Sequence, residues 1–244
     1  MPSEHEVRHL AHMTDTEDQK EKQGVKPLMR MAASSKIIDL LNSGALAPGR
    51  VVSQRELVEM TGATLSAIRE AVPRLEAEGL LTTLPKRGLM VPSLDVAFVR
   101  DAYRLRRMIE LDALSDALAN LPSRQFGEWV SLHESLLVQL GSGAREEAAE
   151  DVQKLDWAMH ETLVGAMRNT LIESVYRTTA VKIRMVVQSV IQVTPFNARR
   201  VVKEHLAFLV PLQQGDIETA RSALRRHINN SLTLALGGEV EDPQ

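Results

Sequence analysis

The chain has 244 residues, with 29 Lys and Arg against 32 Asp and Glu for a formal net charge of −3, and 44% of its residues are hydrophobic. Cysteine is absent and aromatics make up only 3%, which excludes disulfides, thiolate zinc sites, iron–sulfur clusters and cysteine nucleophiles, and argues against base-stacking on single strands. No apolar run approaches the ~18 residues of a membrane span, and the opening MPSEHEVRHLAHM lacks the apolar stretch of a signal peptide, so the expectation is a cytoplasmic protein with no membrane partner.

Residues 1–27 are polar and of mixed charge with no sustained apolar period, the pattern of a mobile arm. His5, His9 and His12 fall there at helical spacing and are given no role. Residues 28–93 change character. Ile37, Ile38, Leu40 and Leu41 form the apolar face of a first helix, stopped by Gly44 and Pro48-Gly49. Ser53-Gln54-Arg55-Glu56 reads as a capping box that opens a second helix. Thr64 caps a third, running through Ile68, Val72 and Leu75 to Gly79. Leu80–Leu84, the basic turn Pro85-Lys86-Arg87-Gly88 and Leu89–Val91 then read as strand, turn and strand. Three short helices and a basic-tipped hairpin are the order of a winged helix-turn-helix. The segment carries eight bases against six acids, so a mildly basic module is hidden inside an acidic total.

From residue 94 the pattern is helical throughout, with helices expected near 94–120, 123–140, 144–168, 170–193, 197–213 and 216–235 and a tail at 237–244. The fold class is therefore mainly α: a winged helix-turn-helix at 28–93 with a small β-hairpin wing, then an all-α antiparallel helical bundle at 94–236.

In a winged helix-turn-helix the third helix reads the major groove while neighbouring helix ends and the wing hold phosphates. The residues at those places are Thr64, Leu65, Ser66 and Arg69 on the recognition helix, Arg55 before it, and Lys86, Arg87 and Gly88 on the wing. Arg69 is the expected base contact, since its planar fork pairs two hydrogen bonds with guanine.

The stretch from Gly49 to Gly88, with Ser53-x-Arg55-Glu56-Leu57, Ile68-Arg69-Glu70-Ala71-Val72 and Leu75-Glu76-Ala77-Glu78-Gly79-Leu80, resembles the DNA-binding domain of the GntR family of bacterial transcription regulators. It departs from that family in two places. Thr64-Leu65 stands where the family usually has a Ser-Arg pair, so one arginine contact is missing, and Leu65 is suited to a thymine methyl. Pro73 falls inside the recognition helix, where it removes a backbone donor and is expected to kink it.

Within the bundle, Asp156 and His160 share a row with Val152 and Val164, His205 a face with Val201, Phe208, Leu209 and Leu212, and His227 a face with Ala220, Ala223, Leu224 and Leu234. Four polar residues on core-facing rows are either hydrogen-bonded core groups or the ligands of a borderline divalent metal, and periodicity leaves both open. His133 is placed on a solvated helix face, and Glu161, beside His160, points off the metal-facing row. Asp156-Trp157-Ala158-Met159-His160, Glu204-His205 and Arg226-His227-Ile228, with Leu105-Arg106-Arg107-Met108-Ile109-Glu110, resemble the helical effector domain of the FadR branch of the family, called FCD. Its metal-binding subgroup uses an Asp and three His, with 44 residues here between the second and third and 21 between the third and fourth. The resemblance implies Asp156, His160, His205 and His227 as ligands of a divalent metal, with Zn favoured and Ni, Mn or Fe admitted. It also implies Arg106 near an effector pocket. Arg184 is added for the charge it offers an acid, a surface role being the other reading.

The function expected is a ligand-responsive regulator, not an enzyme. It binds a double-stranded inverted-repeat operator as a homodimer, with repression the favoured sign and a metal anchoring a small organic-acid effector. The alternatives are a sensor of the metal alone and a metallohydrolase. Against the last, the chain lacks His-Glu-x-x-His and Gly-x-Ser-x-Gly.

Overall fold

The structure, a computed structural model, describes residues 32–141, 145–191 and 194–240. The N-terminal arm, with its three histidines, lies entirely outside the described residues. The chain divides into two compact units with the boundary between Pro92 and Ser93.

In the first unit, helix α1 (32–42) turns Ala33, Ile37 and Leu41 into the core. Strand β1 (Val51–Val52) leads to α2 (Gln54–Thr61) and α3 (Leu65–Ala77). Ser53 Oγ accepts from the Glu56 N–H at 3.1 Å, satisfying one orphan donor at the start of α2. The return half of the expected capping box is missing, because the Glu56 carboxylate pairs with Arg50. Thr64 Oγ1 caps α3 through the Ala67 N–H at 3.2 Å. Gly62, at φ +63°, takes the left-handed conformation that ends α2. The helix α3 runs through Pro73 as a single assigned element and buries Ala67, Ile68, Ala71, Val72 and Leu75.

Strands β2 (Thr82–Leu84) and β3 (Gly88–Met90) form the wing. The sheet has three strands, in the order β1-β3-β2, all antiparallel, with Val52 opposite Leu89 and Thr83 opposite Leu89 on the other side. The sequence reading had a two-stranded hairpin. The added strand is only two residues long, too short to carry a detectable alternation. It gives β3 a partner on each edge.

The second unit is a helical bundle of α4 (Val96–Asn120), α5 (Ser123–Gly141), α6 (Arg145–Gly165), α7 (Thr170–Val186), α8 (Pro195–Gln213) and α9 (Ile217–Ala235). Asp95 and Asp216 cap α4 and α9, and Asn169 caps α7. The fourth expected helix ends seven residues earlier than 193, and Val187–Ile191 continue as a π-helical turn. A core of Tyr103, Leu114, Trp129, Met159, Leu163, Phe208, Leu209 and Leu224 joins α4, α5, α6, α8 and α9. No helix among the described residues is long and apolar enough to cross a membrane.

Candidate metal centre and nucleic-acid interface

On the first unit, Arg55, Thr64, Ser66, Arg69, Lys86 and Arg87 are all exposed, while the apolar side of the same helices is buried. Arg69 Nε donates to Gln54 Oε1 at 3.3 Å, linking the exposed sides of α3 and α2. Leu65 is half-buried at the first turn of α3. At the wing tip Lys86 adopts φ +62°, and the Arg87 N–H closes the turn onto the Leu84 carbonyl at 3.0 Å. Gly88, at φ +113°, sits so close to β1 that a Cβ there would meet the Val52 carbonyl oxygen at 2.7 Å. Its position is thus demanded by backbone packing, whatever it does toward DNA.

In the second unit, Asp156 and His160 lie one turn apart on α6, and α8 and α9 bring His205 and His227 to them. One donor atom from each of the four lies within 4.8 Å of the others. His160, His205 and His227 are buried and Asp156 nearly so. The three Nε2 atoms converge on Asp156 Oδ1 at 3.5, 3.0 and 3.9 Å.

Each imidazole is held from behind through Nδ1. His160 Nδ1 lies 2.7 Å from Glu110 Oε2, and His227 Nδ1 donates to Glu204 Oε2 at 2.8 Å. His205 Nδ1 meets His133 Nε2 at 2.9 Å, and His133 Nδ1 reaches the Trp129 carbonyl at 2.6 Å. Both carboxylates are neutralised by an arginine one turn away on their own helix. Arg106 Nε donates to Glu110 Oε1 at 2.7 Å, joined there by the Tyr176 hydroxyl at 2.6 Å. Arg200 Nη1 donates to Glu204 Oε1 at 2.6 Å, joined by Asn230 Nδ2 at 2.8 Å. All six helices of the bundle therefore contribute a polar group to one centre.

The sequence reading of His133 is corrected: it is 1% exposed and belongs to this network. Glu110 and Glu204, which were only parts of motifs, are buried beside the donors. The signal for all three was the apolar stripe they interrupt. His133 lies in line with Phe126, Trp129, Leu136 and Leu140. Glu110 follows Val99, Tyr103 and Arg106 and precedes Ala113 and Ala117 on the buried face of α4.

The electrostatics follow from burial against neighbours. Burial acts to raise the Glu110 and Glu204 carboxyls, yet Arg106 and His160 for the first, and His227 and Arg200 for the second, bring each down to about 2. Asp156 is likewise held well below the ordinary carboxylate range against its burial, by the His160 and His205 rings that face it. Burial depresses His205, His227 and His133, keeping those rings neutral. In His160 burial is outweighed by Glu110, and its pKa rises.

Beside the centre, a small cleft is lined by Arg106, Asp156, Trp157, His160, Tyr176 and Arg184, among others. Arg184 lies over the Trp157 ring, 4.8 Å from its centroid, and pairs with Glu161 on the outer side. Both arginines named from the sequence thus border one cleft.

Two family matches cover most of the chain. Residues 31–91 match the gntR family of bacterial regulatory proteins, and residues 101–230 match the FCD domain. An HTH-type transcriptional regulator in an unstable DNA locus of Streptomyces ambofaciens is 30% identical over 190 residues, 75% of each chain. The Nta operon transcriptional regulator of Aminobacter aminovorans is 31% identical over 56% of this chain and 63% of its own length. Among solved structures, the Escherichia coli regulator McbR superposes with a TM-score of 0.73 at 20% identity, covering 86% of this chain and 97% of that one. A GntR regulator from Rhodococcus sp. RHA1 gives 0.68 at 18% identity, over 86% and 99%. These likenesses carry the fold, and the sequence matches carry the family: the chain belongs to the GntR family of DNA-binding transcriptional regulators and bears an FCD effector domain.

Proposed function

We propose that the protein is a regulator whose operator affinity is set by a small organic acid bound at a divalent metal held by Asp156, His160, His205 and His227. The observation that carries this reading is the direction of the three imidazoles. Each turns Nδ1 toward an outer partner and Nε2 inward, and the buried atoms of the centre left without a hydrogen bond are both ring nitrogens of His160, the Glu110 Oε2 that faces its Nδ1, and Nε2 of His205. Unpaired buried nitrogens aimed at a carboxylate are costly in isolation and are what a metal site requires. Two ligands ~2.1 Å from one ion lie roughly 3.0–3.4 Å apart, close to the 3.0 and 3.5 Å separations from Asp156 Oδ1. A donor set of nitrogen and oxygen suits Zn, with Ni, Mn and Fe also accommodated.

The charge balance favours an anionic effector. Glu110 and Glu204 are each offset by an arginine, so a divalent ion with Asp156 leaves about one positive charge beside the cleft. Arg106 and Arg184 border that cleft, each already paired with a carboxylate, Glu110 and Glu161, and offer an acid their remaining N–H donors. When bound, the metal supplies a Lewis-acidic anchor for a carboxylate. The chain's own residues orient its ligands, keep Arg106 charged and wall the cleft with Trp157 and Tyr176. Arg55, Thr64, Ser66, Arg69, Lys86, Arg87 and Gly88 are assigned to an inverted-repeat operator bound by a homodimer, with repression released by the effector. The effector acts by binding two arrangements of the dimer unequally.

Native mass spectrometry with elemental analysis of the full chain tests this. A dimer carrying one divalent ion per protomer is expected, with metal lost in His205→Ala while the metal-free chain still binds operator DNA. Absence of metal from the wild type after reconstitution overturns the site. A DNA affinity that follows metal and ignores every organic acid replaces the effector reading with metal sensing.

A further inference from the structure

Among the groups around the centre, His133 contacts neither Asp156 nor the cleft, yet it is buried on α5 with both ring nitrogens engaged. The direction of its bonds is fixed by what each atom can do. A carbonyl oxygen only accepts, so in the neutral ring the proton on His133 sits on Nδ1, facing Trp129 O, and Nε2 keeps a lone pair. That lone pair must be met by a donor, so the proton of the neutral His205 ring sits on its Nδ1. His205 Nε2 is then bare, 3.0 Å from Asp156 Oδ1. Two facing acceptors at that distance repel unless a cation bridges them.

We infer that His133 is a positioning residue for the metal centre: through two imidazoles it transmits the direction of the Trp129 carbonyl, fixing His205 in the tautomer that presents an unprotonated Nε2. The inference rests on the metal reading above. His160 and His227 are oriented by carboxylates, and each carboxylate comes with its own arginine. A third carboxylate behind His205 would need a third buried cation. A neutral histidine does the same orienting work and leaves the charge of the centre unchanged.

The test uses the full chain, with His133→Leu and His133→Gln. Leucine keeps an apolar filling but has no acceptor. Glutamine places Oε1 near the former Nε2 and still accepts from His205 Nδ1. Zinc affinity, measured by competition with a chromophoric chelator, is expected to fall about 10–100-fold in His133→Leu and to stay near wild type in His133→Gln. In metal-free wild type, two-bond proton–nitrogen spectra of histidine-labelled protein are expected to show His205 protonated on Nδ1, a readout that stands even if the leucine variant does not fold. Equal affinity in wild type and His133→Leu, equal losses in both variants, or an Nε2–H tautomer of His205 overturns the inference while leaving the metal site in place. A wild type that takes up no zinc overturns the metal reading and this inference together.

Discussion

Arg69 leaves α3 on its exposed side, one turn before Pro73 ends the run of unbroken backbone donors, and its Nε is steadied by Gln54 of the preceding helix. A guanidinium with one edge tethered loses less freedom on forming a bidentate contact than a free one, which suits it to reading a guanine. Arg69→Ala is therefore expected to weaken operator binding by about 1–3 kcal/mol and to relax the preference at one base pair. Titrations on operator and scrambled DNA check it, and equal weakening on both would reduce Arg69 to a phosphate contact. Exposed charges and the inward rows of Asp156, His160, His205 and His227 were legible because helical period alone sorts residues by face. What stood behind those rows was not. A row says which way a side chain leaves its helix, whereas the pairing of His133 with His205, 72 positions away, depends on how α5 packs on α8. The sequence reading also treated His133 as an ordinary polar residue, although its stripe neighbours Trp129 and Leu136 are buried.

The wing is the element on which packing and the proposed DNA contact meet. Strand β3 is clamped between β1 and β2, and the clamp closes only because Gly88 has no Cβ to strike Val52 O. Its φ of +113° is a second reason, since side-chain-bearing residues rarely adopt it. Gly88→Val is expected to destabilise the first unit by about 1–3 kcal/mol, the usual cost of forced backbone strain, and to weaken DNA binding through the displaced Lys86 and Arg87. Zinc uptake by the bundle is expected to be unaffected, because the glycine belongs to the other compact unit. Thermal unfolding followed alongside zinc titration checks both halves, and a variant with unchanged stability would show that the sheet yields to the added side chain. The hairpin could be read from Leu80 to Val91 because turn chemistry and alternation both mark it. Its third strand could not, since Val51 and Val52 pair only through register with Met90 and Leu89. The π-helical turn after α7 is hidden for a similar reason: Val187–Ile191 are as apolar as the helix before them, and no Gly or Pro announces the change.

At the scale of the whole chain, the near-neutral charge conceals opposite local demands. The DNA-reading segment carries eight bases against six acids, while the bundle buries three carboxylates around one point. Two of these, Glu110 and Glu204, are held at about 2 in the folded protein, below the value near 4.5 of an ordinary glutamate. For a carboxylate with a depressed pKa, the folded state gains most above the ordinary value, because only there is the charged form favoured in both states and paired in one. That stability is present at neutral pH, begins to fall below about pH 4.5, and is lost as the pH approaches 2. The unfolded chain takes up those protons first, so the metal-free bundle is expected to unfold at progressively lower temperature from pH 5 to pH 3. Glu204→Gln removes one of the two groups. Its midpoint is expected to be lower than wild type at pH 7, because Arg200 is left buried without its partner. Across the acid range the midpoint is expected to decline less steeply than in the wild type. Calorimetry of the metal-free chain at several pH values measures the two slopes. Parallel slopes would mean that Glu204 titrates alike in the folded and unfolded chain, and the buried carboxylate would then have to be partly protonated or solvated in the native bundle.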